Sequence, residues 1–176
     1  MGTIFDVANS IQSFVGGFDR MIEDELKSDR EDIEDFIQEQ LYSGINGREK
    51  PLRPTYTNDP YFKEVTNTAK AAKSKAEGYK KYKKKKTPPT PSYLGYQSRD
   101  ENTPNLIIRG DFYSSITAHV GGGVIKIGTE GLSFGNDIEK KYGSIIFGLS
   151  PKARAYLIEY RLKPAIKKYM EKYGLK

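Results

Sequence analysis

The sequence predicts an α+β fold, in which a small antiparallel sheet packs against a long N-terminal helix and a C-terminal helix. A long extended basic arm is inserted between these parts. Three observations support this prediction. Apolar residues recur every three or four positions through about the first 40 residues, the period of an amphipathic helix. Two short apolar runs flank three glycines at 121–123, as in a β-hairpin. A Ser150-Pro151 pair begins the last periodic segment, a typical helix start.

The first segment, residues 1–44, is predicted to be helical and acidic. Gly16 and Gly17 weaken its middle by about 1 kcal/mol each relative to alanine. Ser28 and Glu31 match a capping box, and Gly44 ends the pattern. We therefore expect either one long bent helix or two helices in series. The apolar positions of the segment are Ile4, Val7, Ile11, Phe14, Val15, Phe18, Met21, Ile22, Leu26, Ile33, Phe36, Ile37 and Leu41.

The middle segment, residues 45–104, is predicted to be a Pro- and Lys-rich loop and arm. Prolines interrupt regular structure over residues 45–62, and a second proline cluster makes residues 87–105 an extended linker. Between them lies a Lys- and Ala-rich stretch whose helical tendency we expect to break near Gly78. Excursions of this length are typical of arms and functional loops. We predict that residues 45–91 dock on neighbouring subunits or on another ring, with contacts from Leu52, Pro54, Tyr56, Tyr61 and Phe62.

The last segment, residues 105–176, is predicted to be a compact α+β core. Its clearest element is the hairpin over residues 116–128, turned by the three glycines. Phe112, Ser114, Ile116, Ala118 and Val120 alternate as on one face of a strand. The other expected elements are a strand over residues 105–110, a helix from about 136 that ends at Gly143, and an apolar run over 144–149. A last helix is expected to begin at Pro151, to be kinked or split at Pro164 and to close at Gly174.

Composition and charge exclude several classes of protein. The 176 residues include no cysteine, so a disulfide framework and a thiolate metal site are excluded. No apolar run reaches the roughly 20 residues of a bilayer span, and the start lacks a signal-peptide pattern. We expect a protein made in a cytoplasm, with no membrane partner. Residues 1–40 carry eleven acids and three bases, a balance of −8, whereas residues 41–176 carry twelve acids and twenty-six bases, a balance of +14. Such polarity suits head-to-tail contacts between copies.

Residue types that are often catalytic do not occur here in a pattern typical of an active site. His119, the only histidine, has the outward parity of its predicted strand, and no activated serine accompanies it. Asp32 and Asp35 share one side of a helix, which fits either a divalent-metal site or a solvated acidic face. The glycines at 121–123 lead into a strand, so they predict a turn rather than a phosphate loop. We predict no catalytic, cofactor or metal residue; an acid-dependent hydrolase that uses Asp32 and Asp35 stays an alternative.

The densest charge is a lysine run interleaved with Tyr79 and Tyr82. Lysines can neutralise phosphates and tyrosines can stack on bases, but the run holds no arginine and no geometry for reading sequence. Two interpretations stay open: contact with nucleic acid, or a solvated arm that contacts an acidic protein surface. The candidate nucleic-acid-binding residues are Lys80, Lys81, Lys83, Lys84, Lys85 and Lys86.

Several stretches resemble a family of tailed-bacteriophage proteins. "LIIRGDFYSSITAHV" is similar to a segment in which a Thr/Arg-Gly-x-Leu/Phe-x-x-Ser-Ile pattern leads into a strand. "VIKIGTE", "IEKKYGSIIFGLS", "LKPAIKKYM" and "GREKPLRPTYTNDPYFK" resemble its following segments and an associated phage sequence. The family comprises tail-completion, head–tail connector and virion-morphogenesis proteins, and the resemblance covers residues 41–62 and 104–173. The matching residues are Arg109, Gly110, Phe112, Ser115, Ile116, Pro164, Ala165 and Ile166.

The resemblance implies a non-enzymatic ring of identical subunits in the neck or tail of a virion, joining the portal complex to the tail. The expected partners are further copies of the chain, other neck, portal and tail proteins, and DNA passing through the ring. The Lys-rich insertion and the acidic first helix depart from the family pattern. If the first helix lined the channel, Glu23, Asp32 and Asp35 would repel DNA phosphates and let DNA slide. The alternative function is a nucleic-acid-binding accessory protein that acts through Lys80–Lys86.

Overall fold

The computed structural model describes residues 4–175 and confirms the α+β class. Two strands form one antiparallel sheet, and helices of very different lengths surround it. The helices are α1 (Ile4–Ser28), α2 (Arg30–Tyr42), α3 (Tyr61–Glu64), α4 (Ala69–Lys86), α5 (Asp111–Ser114), α6 (Gly135–Tyr142), α7 (Pro151–Leu157) and α8 (Lys163–Lys172). The strands are β1 (Ile116–Gly121) and β2 (Val124–Thr129); 3₁₀ turns span Tyr56–Asn58 and Ser144–Phe147, and a π-helical turn spans Ile158–Leu162.

The hairpin lies where the glycines predict it. Ile116 pairs with Thr129 and Gly121 with Val124, so the two strands match along their full length. Gly122 and Gly123 form the turn with φ values of 59° and 73°. A two-residue hairpin turn of this kind requires positive φ at both positions, which glycine adopts without steric cost.

The first segment forms two helices in series, the second of the two expected arrangements. The backbone is nearly continuous at the junction, since the Asp29 N–H donates to the Glu25 carbonyl and the Ile33 N–H donates to the Asp29 carbonyl. Asp29 is the N-cap residue of α2 and makes no side-chain capping bond. The predicted Ser28–Glu31 capping box is therefore not formed, because helical backbone bonds already satisfy donors at the junction.

Helix α2 lies at the centre of the hydrophobic core. Ile37 and Leu41 pack against α5, β1 and the turn at Ser144–Phe147. Ile33 and Phe36 pack against Ala118 of β1 and against α7. One helix therefore contacts the sheet, the turn at Ser144–Phe147 and the C-terminal helix α7. The larger cluster comprises Ile37, Leu41, Leu52, Phe112, Tyr113, Ile116, Ile146 and Phe147.

The predicted strand over residues 105–110 is not formed, and Phe112 and Ser114 belong to α5 instead of β1. Side chains, not a neighbouring strand, bind the backbone of this segment. The Tyr113 hydroxyl donates to the Asn105 carbonyl at 2.6 Å, and Lys83 Nζ donates to the Ile107 carbonyl. The apolar composition of the run reflects burial, which a strand and an irregular buried segment share.

The middle of the expected extended arm is the continuous 18-residue helix α4, which runs through Gly78. The Thr68 hydroxyl caps the helix by accepting a bond from the Ala71 N–H at 3.2 Å. One glycine costs only about 1 kcal/mol, which the Ala, Lys and Glu residues and the cap offset. Phe62 of α3 packs against Ala72 and Ala76, so α4 lies on the subunit and does not extend from it.

The C-terminal helices begin as predicted, and the helix is divided just before Pro164. The Ser150 hydroxyl accepts a bond from the Ala153 N–H at 3.1 Å, and Pro151 occupies the first turn of α7. The π-helical turn precedes Pro164 and separates α7 from α8, where the proline lacks a backbone donor. Helix α8 then packs on α1, and the Tyr169 hydroxyl donates to the Phe14 carbonyl at 3.1 Å.

Candidate functional site

Helix α4 presents lysines on the side opposite its buried face. Ala72, Ala76, Tyr79 and Lys83 follow the three- and four-residue spacing of one helix face and contact the subunit. The opposite face, which we name the lysine face, comprises Lys70, Lys73, Lys81, Lys84 and Lys85. All five are exposed. The periodicity of α4 therefore gathers five of the nine lysines of the helix into one stripe.

Five of the six lysines predicted to bind nucleic acid lie at the surface. Lys81, Lys85 and Lys86 are exposed, as is Lys84, which pairs with Glu101 at 2.6 Å. Lys80 is half-buried and pairs with the Glu77 of its own helix at 2.7 Å.

The sixth residue, Lys83, corrects the sequence-based prediction. Its side chain is only 2% exposed, and its Nζ donates to the Ile107 carbonyl, so it cannot reach a phosphate outside the subunit. Burial, and then the nearby Arg99 guanidinium, lower the pKa of Lys83 to about 8. In a homogeneous lysine run only the helical spacing from Ala72, Ala76 and Tyr79 could have distinguished this position.

Arg99 is a second buried cation close to the end of α4. Its guanidinium donates to the Thr103 carbonyl at 3.1 Å and to the carbonyl of Thr87, the residue that caps the helix. A cation at this end of a helix is favoured by the helix dipole. Among residues 4–175, neither Arg99 nor Lys83 forms an ion pair with a carboxylate. Backbone carbonyls, not acidic side chains, therefore accept their bonds.

A cavity of about 370 Å³ lies beside Lys83. We name it the aromatic cavity, because Tyr56, Tyr61, Phe62, Tyr79 and Tyr142 line it together with aliphatic residues of the 104–108 segment and Ile138. Burial raises the pKa of Tyr56 to about 12 and also raises the pKa of Tyr79 and of Tyr142, so these phenols stay neutral. Asp59 and Lys141 also line the cavity and form an ion pair with each other.

The five residues expected to contact a partner have different positions. Leu52, Tyr56 and Phe62 are buried within the subunit, so they pack its own core and are not available to a neighbour. Pro54 is half-buried, and Tyr61 is 55% exposed. Of these five residues, only Tyr61 and part of Pro54 are accessible to a partner. Aromatic residues in a proline-rich loop indicate that the loop is ordered by packing. They do not indicate whether it packs on its own subunit or on another one.

The acidic residues of α2 mostly bind groups of their own subunit. Asp32 pairs with Arg161, whose Nε also lies 3.7 Å from Asp29. The Glu34 carboxylate accepts a bond from the Ala118 N–H at 2.9 Å, and Glu39 accepts one from the Tyr93 N–H at 3.0 Å. Across the described chain, no group of three or more His, Asp or Glu side chains could hold a metal ion.

Of the three residues considered as catalytic or metal-binding candidates, Asp32, Asp35 and His119, the last two are exposed. Asp35 lies away from the Arg161 pair, and partial burial followed by the neighbouring acids raises its pKa. His119 faces outward, as its parity predicts, and its Nε2 lies 2.6 Å from the Glu130 carboxylate at the surface. Neither residue belongs to a group of three or more possible metal ligands within residues 4–175.

The N-terminal half of α1 carries apolar side chains that are largely exposed. Ile4, Val7, Ile11 and Val15 follow helical spacing and are between 47% and 81% exposed; Phe5 beside them is 75% exposed. We name these five residues the α1 stripe. Two other apolar residues of the same helix are partly covered, since the Phe14 and Phe18 rings pack against Tyr169 of α8.

Comparisons with known proteins identify no relative. No protein-family model matches the chain, and no curated protein or solved structure gives a significant match. Within residues 4–175, no helix has the length and apolar character needed to cross a membrane.

We expect the stability of the wild-type chain, relative to Lys83→Met, to rise with pH between about 8 and 10.5. In that window the unfolded chain holds a proton on Lys83 that the folded chain has lost, so raising the pH favours folding. The gain between about pH 7.5 and about pH 9.5 should be roughly 2 kcal/mol. Chemical denaturation at both pH values measures it, and the shared tyrosines cancel in the difference.

Lys85→Met is the matched control, because Lys85 is exposed on the same helix. Its stability relative to the wild type should not change over this pH range. A Lys83→Met difference that is equally flat would contradict a desolvated amine at this position.

Proposed function

We propose that the chain is a structural protein of a tailed-bacteriophage virion, which assembles into a closed homo-oligomeric ring in the neck or tail and joins the portal complex to the tail. The observation that carries the proposal is the exposed α1 stripe. Five large apolar side chains on one helix leave a contiguous surface in water, and burial of such surface is favourable by about 25 cal/mol per Å². Patches of this kind mark contact sites between proteins.

The charge distribution supports a contact between unlike surfaces. The lysine face lies on one helix, while Glu31 and Asp35 are exposed on another. A contact between two different patches of identical subunits is heterologous, and it generates a ring when its rotation closes. Opposite charges on the two patches would orient the approaching subunits. The resemblance to head–tail connector proteins supports the same conclusion.

The expectation that acidic side chains line a DNA channel receives less support. Glu23 pairs with Lys27 at 2.7 Å, and Asp32 pairs with Arg161, so two of the three proposed carboxylates are locally compensated. Asp35 alone of the three is exposed without such a pair in the described chain. We infer that the acids of α2 serve mainly to hold α2 in place: Glu34 binds β1, Glu39 binds the loop at Tyr93, and Asp32 binds the turn between α7 and α8.

The ring is tested by the mass of the purified chain in solution. We expect one discrete multiple of the subunit mass for the wild type by light scattering, and ring-shaped particles by negative-stain microscopy. The double variant Ile11→Glu/Val15→Glu should reduce the mass to that of the monomer with an unchanged circular-dichroism spectrum, because two charges would then occupy the stripe. Ile158→Glu is the control, since Ile158 is 50% exposed outside the stripe.

A wild-type chain that stays monomeric at high concentration would contradict the ring. Equal loss of mass in the Ile158→Glu control would show that any new surface charge disperses the particle, and that the stripe has no special role.

The lysine face favours a second function, the binding of nucleic acid. Lysines in one exposed stripe can neutralise successive phosphates. Lys81→Ala/Lys84→Ala/Lys85→Ala should then weaken DNA binding and reduce the slope of log affinity against log salt by about 2–3. The measurement is a fluorescence-anisotropy titration at several salt concentrations. DNA affinity that is unchanged in the triple variant would exclude this function for the lysine face.

A further inference from the structure

The chain carries two exposed apolar features of complementary shape, the convex α1 stripe and a concave groove that includes the aromatic cavity. We propose that the groove of each subunit receives the α1 stripe of a second copy, so that the copies join head to tail. The inference rests on the proposed assembly of identical subunits, and it names the two surfaces that meet.

The groove is formed by two adjoining cavities. The aromatic cavity has a volume of about 370 Å³, and a smaller cavity of about 250 Å³ adjoins it, because Leu106, Ile108 and Ile138 line both. Phe112 and Phe134 add aromatic surface to the smaller cavity. We name the two cavities together the apolar groove. A lining that is mostly aromatic and aliphatic favours an apolar occupant over a phosphate or another charged group.

The subunit does not cover the apolar groove with its own side chains. Tyr61, Ile108 and Phe134 line the groove, and all three are exposed. The α1 stripe is exposed in the same chain, so the stripe does not occupy the groove of its own subunit. Exposed apolar surfaces of this kind mark contacts between proteins, and a second copy of the chain supplies a helix that fits.

The α1 stripe has the spacing of a helix that binds in a groove. Ile4, Val7, Ile11 and Val15 follow the three- and four-residue spacing of the apolar anchors that amphipathic helices insert into such grooves. At a rise of about 1.5 Å per residue, these four residues span roughly 17 Å of helix. Phe5 beside them contributes an aromatic ring, a side chain that can bury about 150–250 Å².

The charges of the two surfaces favour the same arrangement. Helix α4 forms one wall of the groove through Tyr79 and Lys83, and it carries nine lysines and one glutamate, a balance of +8. Helix α1 carries five acids and two bases, a balance of −3, and α2 after it carries five acids and one base, a balance of −4. Opposite charges would attract and orient the approaching copies, whereas two α1 helices that paired stripe to stripe would repel each other.

Cross-linking of the full chain tests the contact, because the chain contains no cysteine and only introduced thiols can react. Ile11 lies within the stripe and Ile108 lines both cavities, so Ile11→Cys/Ile108→Cys places one thiol on each surface. Each subunit offers one stripe and one groove, so a short bismaleimide should give a ladder of covalent dimers, trimers and larger species on a denaturing gel. Ile11→Cys/Ile158→Cys is the matched control, since Ile158 is exposed outside both surfaces, and it should stay at the mass of one subunit.

The outcomes separate this contact from the ring itself. If Ile11→Cys/Ile108→Cys gives no ladder while light scattering still shows a discrete oligomer, the stripe–groove contact is overturned and the ring stands. A chain that neither cross-links nor exceeds the mass of a monomer would overturn both. Covalent dimers of a chain that carries Ile11→Cys alone would show that stripes pair with each other, and would also overturn the contact.

A charge in the groove provides a second test. Ile108→Glu should reduce the particle to the mass of the monomer with an unchanged circular-dichroism spectrum, as the stripe variant does, because the new carboxylate would be buried by the incoming helix. An unchanged particle mass in folded Ile108→Glu would contradict the contact.

Discussion

Replacing Gln40 with methionine is expected to lower the free energy of unfolding by about 2–3 kcal/mol. Gln40 is fully buried on α2, and its Nε2 donates to the Ile146 carbonyl at 3.1 Å and to the Gly148 carbonyl at 2.9 Å. Methionine keeps the length of the side chain but leaves the buried Ile146 carbonyl and the half-buried Gly148 carbonyl without this donor. The loss of the unpartnered Gln40 Oε1 offsets part of the cost. Urea denaturation measures the difference.

Gln38→Met is the matched control for this variant. Gln38 is half-buried on the same helix and donates one longer bond, of 3.3 Å, to the Tyr113 carbonyl. Its replacement should cost less than about 1 kcal/mol, because it removes only one bond, which is longer and only partly buried. Equal losses for the two variants would show that the two bonds made by Gln40 Nε2 are not what holds α2 to residues 146–148.

Replacing Gly47 with alanine should destabilise the fold by about 3 kcal/mol or more. A Cβ atom at this position would lie 2.3 Å from the carbonyl oxygen of Gly148 and 2.6 Å from its carbonyl carbon. These are backbone atoms, which cannot rotate away, and the Gly47 N–H is bound to the Ile145 carbonyl at 3.0 Å. The two loops must therefore separate to admit one methyl group.

Gly78→Ala provides a control of opposite sign. Gly78 lies within α4, and an added Cβ would meet no atom within 4 Å. The substitution should raise the free energy of unfolding by up to about 1 kcal/mol, because alanine has the higher helix propensity. Thermal and urea denaturation of both variants measure the effects. A Gly47→Ala chain as stable as the wild type would show that the contact with Gly148 is not tight in solution.

Local signals predicted those elements whose geometry only a few residue types permit. The hairpin could be predicted because its turn needs positive φ at Gly122 and Gly123. The start of α7 could be predicted because the Ser150 hydroxyl binds a free N–H and Pro151 lacks the donor that a first turn would leave unused. In both cases the responsible atoms are neighbours in sequence.

Elements that depend on distant contacts were missed. The run from Asn105 to Ile108 has the composition of a strand, but its backbone bonds are made by side chains from other segments, Lys83 and Tyr113. Helix α4 was expected to break at Gly78, yet packing by Phe62 supports it. The candidate sites show the same limit, because whether Lys83 points into the subunit or into solvent depends on which face of α4 meets α3.

The bond between Arg161 and Asp32, with Asp29 beside it, has a structural consequence. Arg161 lies in the π-helical turn between α7 and α8, whereas the two aspartates lie at the start of α2, just after α1 ends. A guanidinium presents its donors in a rigid planar fork, so this contact has a more defined geometry than one made by an ammonium group. The ion pair therefore joins the π-helical turn directly to the junction of the two N-terminal helices, by a contact that does not pass through the sheet.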